Sequence, residues 1–117
     1  MKIYCDSSTK EACYIVNGHH PVIKTYKAAV TNNVGEYIAV IYALEHTKRL
    51  EYQGVEILTD SLLVVNQVKA EKDGGWKCHS LHLLPFIEKV RDLIWETGAT
   101  VAWVSREENL AGKVLGG

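Results

Sequence analysis

The apolar pattern of the chain changes character once, at Thr31. Before it stand three short runs of strand type, Lys2 to Cys5, Glu11 to Val16 and Val22 to Val30. Asp6-Ser7-Ser8-Thr9 interrupts the first two, and Asn17-Gly18 interrupts the second and third. Asn-Gly is a strong hairpin signal, because both residues tolerate positive φ. Beyond Thr31 the apolar residues recur at helical spacing, with two short strands among them. The resulting order is β-β-β-α-β-α-α-β-α. It predicts an α/β fold with a five-stranded mixed sheet, three antiparallel strands and then parallel ones, and helices on both faces.

The helices carry start signals. Thr31-Asn32-Asn33 supplies side-chain oxygens for a cap, and Asn33 with Glu36 has capping-box spacing. The first helix is expected from about Val34 to Leu50. Tyr37, Ile38, Val40, Ile41, Tyr42, Ala43 and Leu44 make it apolar on several faces, which suits a helix buried between a sheet and other helices. Val55 to Thr59 reads as a buried strand, ended by Asp60-Ser61, which can cap a second helix over Leu62 to Ala70. Leu83, Ile87, Val90 and Ile94 mark a third helix over Leu83 to Thr97, with Pro85 in its first turn. Thr100 to Val104 is the fifth strand, and a short final helix begins near Glu108.

At 117 residues and 47% apolar content the chain can bury its own core, so residues 1–117 are read as a single domain. Net charge is −1, so any nucleic-acid binding must come from local arrangement, not from a global basic field. Cys5, Cys13 and Cys78 are odd in number and irregularly spaced, which is no disulfide framework. The N-terminus lacks a basic-then-apolar leader, and no apolar run reaches the roughly 20 residues of a membrane span. The expectation is a soluble cytoplasmic protein with reduced thiols, without a membrane partner.

Three acids sit where chemistry is often built. Asp6 follows the first strand, Asp60 follows the fourth, and Glu36 lies in the first turn of the first helix. If those strands are adjacent and parallel, Asp6 and Asp60 emerge at one sheet edge, where α/β folds place sites. A converging group of carboxylates repels itself without a cation. It suits a hard divalent ion that shares its shell with a phosphate. Taken singly, each acid also reads as a cap, turn or dipole-favoured residue. Cys78-His79-x-x-His82 offers a second metal reading, zinc, on non-standard spacing; surface or junction residues are the simpler account.

The segments Ile3-Tyr4-Cys5-Asp6-Ser7-Ser8, Thr31-Asn32-Asn33-Val34-Gly35-Glu36-Tyr37-Ile38-Ala39, Leu58-Thr59-Asp60-Ser61 and Val101-Ala102-Trp103-Val104 occur in one order. In that order the chain resembles the type 1 ribonuclease H family over Lys2 to Leu115. The resemblance implies a ribonuclease H-like fold and two-metal hydrolysis of the RNA strand of RNA/DNA hybrids, with Mg2+, or Mn2+, as cofactor. It implies that Asp6, Glu36 and Asp60 are the catalytic metal ligands. It places Asn32 and Asn33 at the minor groove, where 2′-hydroxyls distinguish RNA, and Thr31 at a phosphate. Ser7, Ser8 and Ser61 are expected with them at the nucleic acid. For the two asparagines, helix capping is the competing role.

The chain departs from the family pattern at several positions. Ser7 stands for the usual Gly, Leu62 for a frequent Gln, and no basic handle helix is present. Lys69, Lys72 and Lys77 are the remaining local cations, and Trp76 reads as packing at a helix junction, with stacking on a sugar or base as the alternative. The fourth family carboxylate has Gly112 near its place, with Glu107 or Glu108 as substitutes, and the catalytic-loop His is missing. Two further functions therefore stand beside the ribonuclease: a non-catalytic or weakly active hybrid-binding module, and a nuclease acting on DNA.

Overall fold

The computed structural model describes residues 1–69, 71–78 and 80–116. Five strands form one sheet in the order β3-β2-β1-β4-β5, where β1 is Lys2–Ser7, β2 Glu11–Val16, β3 Val22–Thr25, β4 Glu56–Thr59 and β5 Thr100–Trp103. The first three pair antiparallel through tight turns. β4 and β5 each follow a helix and join parallel, as chains carried back by a crossover must. The expected mixed sheet is therefore the observed one.

β3 stops at Thr25, short of the expected Val30, because β2 has no residue left to pair with it: Glu11, the first residue of β2, already faces Thr25. From there the chain leaves the ladder and follows the β1–β2 turn, with Tyr26 N donating to Lys10 O and Val30 N to Thr9 O, both at 2.9 Å.

Helix α1 (Asn32–Arg49) begins earlier than expected. Thr31 is extended at its N-cap, and its Oγ1 accepts from Val34 N at 3.3 Å. The capping box read at Asn33 and Glu36 is thus not formed. His46, Lys48 and Arg49 fill the last turn, where positive charge opposes the helix dipole.

Helix α2 (Leu62–Val68) is capped by Ser61 Oγ, which accepts from Val64 N at 3.2 Å. Its last turn holds no cation of its own. Arg91 from α3 supplies one, donating to the carbonyls of Gln67, Val68 and Lys69 at 3.0–3.2 Å. The expected end of this helix, Ala70, lies outside the described residues.

Helix α3 (Leu84–Thr97) follows a 3-10 turn over Leu81–Leu83 and closes on Gly98, whose φ of 71° needs a residue without a Cβ. β5 gives up Val104, which still donates to Thr59 O at 2.9 Å. A 3-10 turn over Arg106–Glu108 delays the last helix, α4, to Leu110–Val114.

α1 and α3 cover one face of the sheet. Ile3, Cys5, Tyr14 and Ile57 meet Tyr37, Val40, Leu44, Leu83, Ile87 and Val90 there. Each such fully buried aliphatic side chain contributes about 1.5–3 kcal/mol. Tyr37 is buried with its hydroxyl donating 2.7 Å to Gln67 Oε1, so the polar end of each is satisfied inside the core. α4 covers the other face, where Ala111 packs with Cys13, Ile15, Tyr4, Leu110 and Leu115.

Candidate metal centre

β1 and β4 run parallel with Cys5 beside Thr59. Asp6 and Asp60, the next residue of each chain segment, therefore stand at the same edge. β1 runs past the expected Cys5 to Ser7 and so contains Asp6, paired with Cys13 of β2, whereas Asp60 follows the end of β4. α1 stands over that edge and delivers Glu36 from its second turn, since the helix already starts at Asn32 and its first turn holds no acid. The dipole account of Glu36 consequently does not apply. One oxygen from each of Asp6, Glu36 and Asp60 lies within 4.8 Å of the others.

The cluster is electrostatically costly on its own. Burial, then the charges of Asp6 and Asp60, push the Glu36 carboxyl up to about 8, while Arg106 pulls the other way. Asp6 is raised too, first by burial and then by Asp60, against the backbone N–H of Ser7 and the charge of Arg106. Glu36 Oε2 is buried without a protein partner. A buried acceptor of that kind demands either a proton or a cation. Three converging carboxylates with one unpartnered oxygen, all hard donors, fit a divalent cation of the Mg2+ type.

Asn109 ties the site together. It is fully buried, its Nδ2 donates to Cys5 O at 2.8 Å and to Asp60 Oδ2 at 3.3 Å, and its Oδ1 caps α4 by accepting from Ala111 N at 3.1 Å. One side chain thus joins β1, the Asp60 carboxylate and the last helix. A cap residue before a short apolar run is the signal by which the sequence could mark it.

Gly112 reaches the cluster without contributing to it. A Cβ at this position would stand 3.1 Å from Asp6 Oδ2. Glu107 and Glu108 are exposed on the 3-10 turn and are not members of the carboxylate group. Neither replaces the fourth ligand here. Arg106, on the same turn, is the residue whose charge is felt by Asp6 and Glu36, and no sequence signal marked it.

The six polar residues expected at nucleic acid divide by what their side chains already do. Asn32 and Asn33 are exposed at the start of α1 and neither caps it, which leaves their amides facing solvent. Thr31 and Ser61 oxygens accept cap bonds, yet each hydroxyl proton remains free to donate. Ser8 Oγ accepts from Lys10 N and Glu11 N at 3.1 Å and so builds the β1–β2 turn. The Ser7 hydroxyl is buried against Gly35, facing away from solvent. Only the backbone of Ser7 is left to meet a ligand.

Two tryptophans also differ from expectation or were not singled out. Trp76 is 48% exposed and lines a groove with Leu63, Gln67, Lys77 and Ser80, so it is not sealed in a helix junction. Trp103 is half exposed at the end of β5, with its indole N–H held by Asp60 O at 3.2 Å. Of the residues of the zinc reading, Cys78 Sγ bonds Ser80 O, His82 is exposed, and His79 lies outside the described residues. Among the described residues, Asp6, Glu36 and Asp60 form the one group of three metal-ligating side chains. No described helix is long and apolar enough to cross a membrane.

The RNase H family model matches residues 1–106. RNase H1 from the halophilic archaeon Halobacterium salinarum is 23% identical, with TM-score 0.79, and the alignment covers 97% of this chain and 92% of that one. The N-terminal RNase H domain of a Mycobacterium tuberculosis protein, solved as a maltose-binding-protein fusion, is 25% identical with TM-score 0.78 over 97% and 93% of the two chains. LC11-RNase H1, solved in complex with an RNA/DNA hybrid, is 24% identical with TM-score 0.76 over 97% and 91%.

Proposed function

The chain belongs to the RNase H family, and from that membership we propose that it is a divalent-metal-dependent endoribonuclease that hydrolyses the RNA strand of RNA/DNA hybrids. The observation that carries this reading is the meeting of Asp6, Glu36 and Asp60 within 4.8 Å at the ends of two parallel strands. The complex of LC11-RNase H1 with a hybrid supports the substrate class.

Asp6, Glu36 and Asp60 are the residues that would hold the cations, Mg2+ or Mn2+. When bound, such cations neutralise the scissile phosphate, acidify a water and stabilise the leaving oxygen. Asn109 orients the Asp60 carboxylate by its 3.3 Å bond. Arg106 adds a positive charge at the same edge, which draws a phosphodiester to the acids. The free amides of Asn32 and Asn33 suit base edges and 2′-hydroxyls in a minor groove. Thr31 and Ser61 can donate to phosphate oxygens without releasing their helix caps.

A second reading, a hybrid-binding module with little or no turnover, is favoured by Gly112, which stands at the carboxylates and brings none. Cleavage of an end-labelled hybrid in Mg2+ and in Mn2+ separates the two. The endoribonuclease cuts the RNA strand, and Asp60→Asn lowers the rate on the order of 100-fold or more. Tight hybrid binding with no cut in either metal establishes the second reading instead.

A further inference from the structure

The last helix does not hold itself. The five residues of α4, Leu110–Val114, are followed by Gly116, whose φ of 80° turns the chain out of the helix. An isolated helix of that length is unstable in water, so α4 exists only where its side chains dock. Ala111 docks on Cys13 and Ile15, with Leu110 and Leu115 beside it. The other two attachments end on the carboxylate group. Asn109 Nδ2 is shared between Cys5 O at 2.8 Å and Asp60 Oδ2 at 3.3 Å. Gly112 lies so close to Asp6 that an added Cβ would stand 3.1 Å from its Oδ2. α4 thus rests on two of the three acids that would hold the cation.

We propose that docking of α4 and cation binding are one linked equilibrium, with the Asn109 side chain as the link, so that the last helix sets the affinity of the centre. The inference rests on the metal-centre reading above and adds a control on it. Asn109 is a positioning residue, since it acts through Asp60. A carboxylate has about four acceptor positions, so Asp60 can accept from Asn109 and still bind a cation. A donor behind the carboxylate fixes its orientation, as partners of metal ligands do. In return, a cation between Asp6 and Asp60 removes their mutual repulsion and steadies the surface on which α4 sits. Linkage is reciprocal: the factor by which the cation tightens α4 is the factor by which docked α4 tightens the cation.

Amide hydrogen exchange, beside calorimetric titration with Mg2+ and without nucleic acid, tests the proposal. The amides to follow are Lys113 and Leu115, which donate to Asn109 O and Ala111 O. Buried Val90 and Leu93 of α3 serve as the reference. Without Mg2+ the α4 amides are expected to exchange faster than the reference, because α4 opens by itself. Mg2+ is expected to slow them on the order of 10-fold and then level off. The reference amides keep slowing with Mg2+ concentration, as mass action on the whole fold requires. Asn109→Ser keeps a capping oxygen but is too short to reach Asp60, and it is expected to weaken Mg2+ binding on the order of 10-fold. Ala111→Gln undocks α4 without touching a carboxylate, because the larger amide cannot enter the buried place of Ala111. It is expected to lose Mg2+ affinity by the factor seen in the native exchange. A merely structural Asn109 lowers the melting temperature and leaves α4 exchange indifferent to Mg2+. Native α4 exchange unchanged by bound Mg2+, or native Mg2+ affinity in Ala111→Gln, overturns the proposal and leaves the metal centre standing. Native α4 amides as slow as Val90 and Leu93 show that α4 opens only with the whole fold, which overturns it as well. A native chain that binds no Mg2+ sinks the metal centre and this proposal together.

Discussion

At the residue scale the site is governed by Glu36. Its carboxyl is pushed up to about 8, chiefly by burial and then by Asp6 and Asp60. In the unfolded chain the same group titrates near the ordinary Glu value of about 4.3. Between those values the folded chain keeps a proton that the unfolded chain has released, so folding is favoured. That stability is complete below the lower value and is lost as pH rises through about 8. Melts of the metal-free protein should accordingly decline from pH 5 to 8, and Glu36→Gln should flatten the decline. Mn2+ must displace the proton, so its binding at pH 7 should release one, seen as a buffer-dependent calorimetric heat. Gly112 gives the complementary test. Gly112→Asp adds a fourth acid beside Asp6 Oδ2. It should lower the melting temperature without metal and raise Mg2+ affinity on the order of 10-fold, measured by the same titration.

At the element scale, helix ends decide where chemistry falls. Thr31 caps α1 and so puts Glu36 in the second turn, above the sheet edge. Asn109 caps α4 and holds Asp60 with the same side chain. α2 depends on a neighbour for its end: Arg91 reaches from α3 to three of its last carbonyls. Arg91→Ala should cost about 1–3 kcal/mol in chemical denaturation, because carbonyls lose a charged donor. It should leave Mn2+ affinity intact, since α2 contributes no ligand. These ends were partly legible. Thr31, Ser61 and Asp60 lie at visible breaks in the apolar pattern, and all three act there. The Asn33–Glu36 capping box was equally well spaced and does not form, because Thr31 takes the cap first. Spacing alone cannot rank two competing caps.

At the scale of the whole molecule, the central strands are both core and scaffold. Ile57 on β4 is fully buried between neighbours on β1 and β5. Ile57→Ala should cost about 2–5 kcal/mol in urea denaturation. The register that carries Asp60 beside Asp6 runs through that same strand, so metal affinity should fall with stability. The two helical faces have unequal duties. α1 and α3 supply the bulk of the apolar burial, whereas five-residue α4 brings Gly112 up to Asp6.

The amino-acid sequence by itself determined the element order, the hairpin-then-crossover sheet, and the three acids near two strand ends and the beginning of the first helix. Those features are local: periodicity, turn chemistry and capping act over a few residues. Only the tertiary structure decided which acids meet. Along the chain Gly112 marked the place of the fourth carboxylate and Glu107 or Glu108 were its possible substitutes; in the fold Gly112 lies at Asp6, beside the cap at Asn109, and both glutamates are exposed. The burial that raises Glu36, the reach of Arg106 and the close approach of Gly35 to Ser7 were likewise invisible in one dimension. Each depends on atoms far apart in sequence, and their contact is set by how α1 packs onto the sheet.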